Sequence, residues 1–324
     1  MPSVGVDDVT RVVIDEASFD FRGLSPERIE DYLDTFNDTL QSLRGDGVTP
    51  RQPEGFGTFA CTDDFDLDSY LWSGPGEAIE RDTRNRFSQL IQKCPEWDPS
   101  VPDGPDVLLG DEDPESKTAF SVAFALASAQ QGRGVACLVF GGCERRGFLL
   151  VTDERGKARI FFFVVREDLP EFWRSLYALE KVAETEFLAL ASWAFPVLIF
   201  NPGLTFRRFD GSYQGLLPEV VRHLTVLNDH FLRVYQSCKG LPRDVEAGLG
   251  ALGCPGISPE SPKTRGSEHL MKLRDAVYLG QTIRCEWHTK IEPHRNRIHF
   301  NPEITDSAAG GKVFIGIFVD HLET

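Results

Sequence analysis

Between residues 283 and 321 this chain gathers the groups that phosphate chemistry uses. Arg284, Glu286, His288 and Lys290 alternate along one stretch, Arg297 and His299 along the next, and His321 follows. Arginine and lysine hold phosphate oxygens, while imidazole and carboxylate exchange protons near neutral pH. Cleavage of RNA needs that set: a base at the 2′-hydroxyl, an acid at the leaving oxygen and a cation over the phosphate. The spacing assigns Glu286 or His288 as the base and His299 or His321 as the acid. Arg284, Lys290 and Arg297 form the phosphate clamp.

These residues act together only if a sheet brings them to one side. Residues 283–291, 297–301 and 312–319 read as three β-strands, with Pro293 and His294 in one gap and a run from Ser307 to Gly311 in the next. That is the pattern of an antiparallel meander. Side chains alternate across a strand, so Ile283, Cys285, Trp287, Thr289 and Ile291 share an apolar side with Ile298 and Phe300. A loop over 292–295 pairs Lys290 with Arg297 and His288 with His299. A loop one residue longer would put those pairs on different faces, so the apolar pattern selects the register. The expected result is one oily face and one exposed cationic face bearing imidazoles.

The succession of Glu286 to Lys290, Arg297 to Phe300 and Lys312 to Ile317 resembles the β-meander of the RelE/ParE superfamily of bacterial toxins. The resemblance covers about residues 259–324. It implies a sheet carrying basic residues with His or Glu, and action on messenger RNA at the ribosome. A single short helix, residues 267–273, stands where that family usually has a helical hairpin. On this resemblance the chain is a toxin-like or phage-defence effector, an endoribonuclease working without a metal. The alternative is a non-catalytic interaction or scaffold subunit of a bacterial defence system. Residues 1–250 resemble no family of known function.

A zinc site built from His288, His299 and His321 would leave one coordination position open for hydrolysis. Histidines opposed on a sheet are more often polar neighbours, so neither a metal nor another cofactor is expected. The middle of the chain has no phosphate-cradling glycine loop and no nucleophile elbow. Glu180 and Glu184, one helical turn apart, read as a solvated flank.

The composition, 41% hydrophobic with 24 Phe in 324 residues, is that of a globular protein. Charge is unevenly spread. Residues 1–120 carry 27 acids against 10 bases, whereas residues 259–324 carry 9 of each. The acidic third repels nucleic acid and suits a basic protein partner, while the C-terminal face can accept RNA locally. Seven cysteines without a CxxC pair suggest a reducing interior. The first residues show no signal segment, and the longest oily run, 187–200, is too short to cross a bilayer. A cytoplasmic protein with no membrane contact is expected, with the middle of the chain forming a packed scaffold that could dimerise.

The resulting fold class is α+β: an acidic, mostly helical region over 1–116, a central mixed α/β domain over 117–240 and a small antiparallel sheet over 258–324. A strand is expected over 11–14. Helices are expected over 26–44, where Ser25 and Pro26 suit the N-cap and first position, over 77–93, 116–131, 168–193 and 217–236. Strands are expected over 135–140, 147–152 and 158–165, and a hairpin over 197–209. Residues 95–116 and 240–262, rich in glycine and proline, read as linkers.

Overall fold

The structure, a computed structural model, describes residues 10–97, 106–111, 114–302 and 311–323. The class is α+β, and the chain forms two compact units, Met1–Phe172 and Trp173–Thr324. The stretch expected as a central domain is therefore shared between them.

Unit 1 is built on a six-stranded mixed sheet. Its strands are β1 (Val12–Ile14), β2 (Asp106–Leu109), β3 (Glu115–Thr118), β4 (Ala136–Leu138), β5 (Gly147–Asp153) and β6 (Gly156–Phe163), in the order β1-β4-β6-β5-β2-β3. The described part of the expected 95–116 linker thus contributes a sheet hairpin, and residues 98–105 and 112–113 lie outside the described residues. The helices are α1 (Pro26–Gly45), α2 (Leu67–Ser73), α3 (Arg81–Ile91) and α4 (Phe120–Gln130). Ser25 caps α1 by accepting the Arg28 amide proton. Apolar on every side, α4 is buried from Ser121 to Ser128 and packs Val122 and Leu126 with Val13, Val151, Ile160 and Phe162. Phe19, Phe36, Phe87 and Phe140 form a second, aromatic core.

The helix α5 (Leu169–Leu179) carries the chain from unit 1 into unit 2. The long helix expected over 168–193 is in fact two, because Lys181 takes a left-handed backbone (φ 50°) and α6 (Phe187–Ala194) starts afresh. The expected 197–209 hairpin does not form. Its first half, β7 (Leu198–Phe200), pairs in parallel with a distant strand, and Phe206–Arg208 is a single 3₁₀ turn. Next come α7 (Tyr213–Val226), a π-helical turn over Leu227–Phe231 and α8 (Leu232–Ser237).

The expected linker 240–262 is ordered: it holds α9 (Pro242–Gly250) and β8 (Ser258–Pro259). Beyond it lie α10 (Pro262–Arg265), α11 (Glu268–Lys272) and the strands β9 (Asp275–Tyr278), β10 (Gln281–Arg284), β11 (Trp287–Lys290), β12 (Arg297–Asn301) and β13 (Val313–Val319). The main sheet of unit 2 runs β7-β13-β12-β11-β8, while β9 and β10 form a separate ribbon. The stretch expected as one strand, 283–291, is therefore broken after Arg284. The meander register is as expected, His288 opposite His299 and Lys290 opposite Arg297. Its second connection, at Ser307, lies outside the described residues. No helix among the described residues is long and apolar enough to cross a membrane.

Candidate functional site

The alternation of β11 and β12 sorts their side chains as the pattern requires. Trp287 and Phe300 turn to the π-helical turn and α8, where Phe231 and Tyr235 meet them edge-on. Thr289, on the same side, lies beside His223 and Cys254. His288, Lys290, Arg297 and His299 take the other face. That face was expected to be exposed, and it is covered instead. Residues 260–286 fold over it, because α11, the β9–β10 ribbon and the residue after it have apolar side chains to bury, Met271, Ala276 and Cys285 among them. His288 keeps 7% of its surface and His299 1%.

The covering segment supplies a carboxylate. Glu260 follows β8, and its amide donates to the Glu286 carbonyl at 2.8 Å, extending the pairing by one step. Its Oε1 lies 3.6 Å from Nδ1 of His288 and 3.6 Å from Nδ1 of His299. Both separations are too long for hydrogen bonds. Arg274 donates from Nε to the same oxygen at 3.0 Å, and is itself fixed by the Leu270 and Glu323 carbonyls. One nitrogen-rich, nearly sealed group thus sits on the floor of a cavity of about 510 Å³. Ser258, Ser261, Thr264, Lys290, Arg297 and His321 are among the residues lining its walls. A volume of that size suits a nucleotide or a comparable small ligand.

The electrostatics favour an anion. Among the described residues neither Lys290 nor Arg297 is in an ion pair, and Arg297 Nε is buried without a hydrogen-bond partner. Burial lowers the proton affinity of Arg297, a sign of how dry its surroundings are. Burial, reinforced by Arg297, Lys290 and Arg274, holds His288 down to about 3. His299 is also held well below its ordinary value, by burial first and then by His288 and Arg274. Both rings are therefore neutral at physiological pH. Nδ1 of each lacks a hydrogen-bond partner, as does Nε2 of His299. Glu260, His288 and His299 each offer one ligand atom, all within 4.8 Å of one another, so these three could hold a metal.

The sequence-derived residues divide clearly. The structure brings His288, Lys290, Arg297 and His321 to the cavity, while His299 faces Glu260 and is not among the lining residues. Arg284 is elsewhere: it forks between Glu268 and Asp275 on the β9–β10 ribbon. Glu286 sits in the break after β10 and is not among the residues lining the cavity. The carboxylate of the site is Glu260, which the linker reading of 240–262 passed over. Its signal was nonetheless present: Ser261 and Pro262 repeat the cap-then-proline start of α1, and Ser261 accepts the Thr264 amide proton.

A second buried pair, Cys254 and His223, lies on the opposite face, with Sγ 3.1 Å from Nδ1. Burial raises the Cys254 thiol and lowers His223 to about 4, and Cys254 has no exposed surface. That pair is a packed contact without an activated thiolate. Compared with protein-family models, with curated proteins and with solved structures, the chain matches none.

Proposed function

We propose that unit 2 binds a phosphate ester in this cavity and acts on RNA, as a toxin-like or phage-defence effector of the bacterial cytoplasm. The observation that carries the reading is the cross-strand pair Lys290 and Arg297, two cations without an ion pair among the described residues, opening on one cavity. Two such charges at one wall fit a phosphodiester, with serine and threonine hydroxyls to hold its remaining oxygens.

In this reading the floor group of Glu260, His288 and His299 activates the attacking 2′-hydroxyl. The 2′-oxygen bonds to phosphorus as its proton passes to Glu260 or His288, the members of that group that line the cavity, and the bond to the 5′-oxygen breaks. His321, exposed at the mouth, gives that leaving oxygen its proton. Lys290 and Arg297 neutralise the charge that gathers on the phosphoryl oxygens. The products are a 2′,3′-cyclic phosphate and a free 5′-hydroxyl.

A second reading keeps the binding and drops the cleavage. It is favoured by the same dryness that leaves His288 and His299 such weak bases. One experiment separates the two: single-stranded RNA, free and ribosome-bound, is incubated with the wild type and with Lys290→Ala/Arg297→Ala. Cleavage that the double variant loses supports the enzyme. Binding without cleavage, again lost in the variant, supports the interaction subunit. Equal RNA binding by both proteins removes the phosphate reading altogether.

A further inference from the structure

Two buried imidazoles face one carboxylate oxygen, and the separations are wrong for hydrogen bonding. They are right for something else. In a tetrahedral site with bonds of about 2.0–2.1 Å, neighbouring donor atoms stand roughly 3.4 Å apart. Glu260 Oε1 stands 3.6 Å from each Nδ1. Neither Nδ1 has a hydrogen-bond partner, and His299 is 1% exposed. Such nitrogens buried without a partner are uncommon, because each forfeits its hydration for nothing in return.

We propose that Glu260, His288 and His299 hold one divalent transition-metal ion, zinc first among them, beneath the cavity. Two imidazoles and one carboxylate form the donor set of a catalytic zinc site, with a coordination position left open for water or substrate. Calcium and magnesium, which prefer oxygen ligands, are excluded by that set. One supporting contact of the kind a metal site uses is already in place. Arg274 orients the Glu260 carboxylate through Nε. This centre differs from the three-histidine site suggested by sequence, since Glu260 takes the place of His321.

Arg274, Arg297 and Lys290 set a condition on the ion. Their positive charges oppose a bare cation, so the ion must be held by strong nitrogen bonds, and its open position faces an anion-accepting wall. The ion would then supply Lewis-acid chemistry beside Lys290 and Arg297, and the three positive groups would accept one anionic ligand. The proposal deepens the phosphate reading and rests on it only for that ligand, because metal uptake is measured without RNA.

The test uses the full chain, stripped with a chelator and titrated with zinc against a chromophoric competitor. Expected is one tightly bound equivalent, with affinity lowered by about a hundredfold or more in His288→Ala, His299→Ala and Glu260→Gln. Cys254→Ser, which removes the thiol that contacts His223, leaves it unchanged. X-ray absorption of the zinc-loaded wild type needs no variant and shows only nitrogen and oxygen neighbours. A sulfur neighbour, or no stoichiometric uptake by the wild type, overturns the proposal. So does uptake that all three substitutions leave intact. Metal uptake without RNA binding would sink the phosphate reading while leaving the metal centre standing.

Discussion

Arg274 and Glu260 form an ion pair at 3.0 Å in which the arginine side chain keeps 1% of its surface and the glutamate side chain 5%. A pair this dry is held by mutual need. Each charge would be strongly unfavourable alone, although the pair together contributes little over two apolar groups. Arg274→Ala is therefore expected to destabilise the apoprotein by about 3–5 kcal/mol. Glu260→Leu/Arg274→Met should recover most of that loss while abolishing ligand binding. Urea denaturation of the singles and the double checks this. A double variant no more stable than the worse single would show that the pair itself holds the segment over the sheet.

Lys290 and Arg297 should make binding to single-stranded RNA salt-dependent. Each phosphate contact removed lowers the slope of log K against log salt by about 0.7. Lys290→Ala and Arg297→Ala are each expected to flatten the slope by that amount, whatever the RNA sequence. Fluorescence anisotropy over a salt series measures it. Slopes that match the wild type would place the RNA elsewhere.

Glu16 in unit 1 gives a pH prediction. Its carboxylate accepts the Phe120 and Ser121 amide protons at the start of α4, yet burial and then neighbouring Asp15 raise it from 4.5 to about 7. Between those values the folded chain holds a proton that the unfolded chain releases. Stability from this group is thus full below about pH 4.5 and falls as pH rises to about 7, by roughly 3 kcal/mol. Asp15 is also raised by burial and adds in the same direction. Glu16→Gln should lose less stability than the wild type between about pH 5 and pH 8. An equal loss in both proteins would assign the pH dependence to other groups.

Gly316 is the extra residue where the β12–β13 register shifts between His299 and Phe300. A methyl group there would lie 2.2 Å from Cys285 Sγ. Gly316→Ala should therefore cost about 1–3 kcal/mol by overpacking. Adding Cys285→Ala should restore much of it. Thermal denaturation of both variants tests the pair, and a harmless Gly316→Ala would mean that the ribbon shifts freely over the sheet.

What could be read from sequence followed the range of the interactions involved. Alternation along 287–290 and 297–301 set both faces and the register, because a one-residue slip would have exposed Trp287 and Phe300. The Ser25 cap and the apolar spacing of α1 are equally local. Whatever depended on distant partners was hidden. β7 looked like half a hairpin because its parallel partner lies beyond residue 312. Burial of His288 and His299 was invisible for the same reason, since polar types on one face announce solvent only when nothing folds over them. Arg284 kept strand alternation with His288 in sequence, but the break after β10 gave it to Glu268 and Asp275. Glu260 lies in a glycine- and proline-rich stretch, a composition that masks the short helix start beside it.

One relationship bears on when the cavity can form. Asn201 Nδ2 donates to the Gly316 carbonyl at 3.0 Å across a separation of 115 residues, beside the parallel β7–β13 pairing. Until β13 has been synthesised, β7 and β12 lack a neighbour, and Phe187 and Phe206 lack the Phe318 ring they pack against. Closing so long a loop is slow, and it leaves apolar surface uncovered in the meantime. A nascent chain on the ribosome would thus carry His288, Lys290 and Arg297 before it had a cavity to hold them. Pairing of β13 with β7 and β12 is therefore the step that completes the sheet beneath these residues.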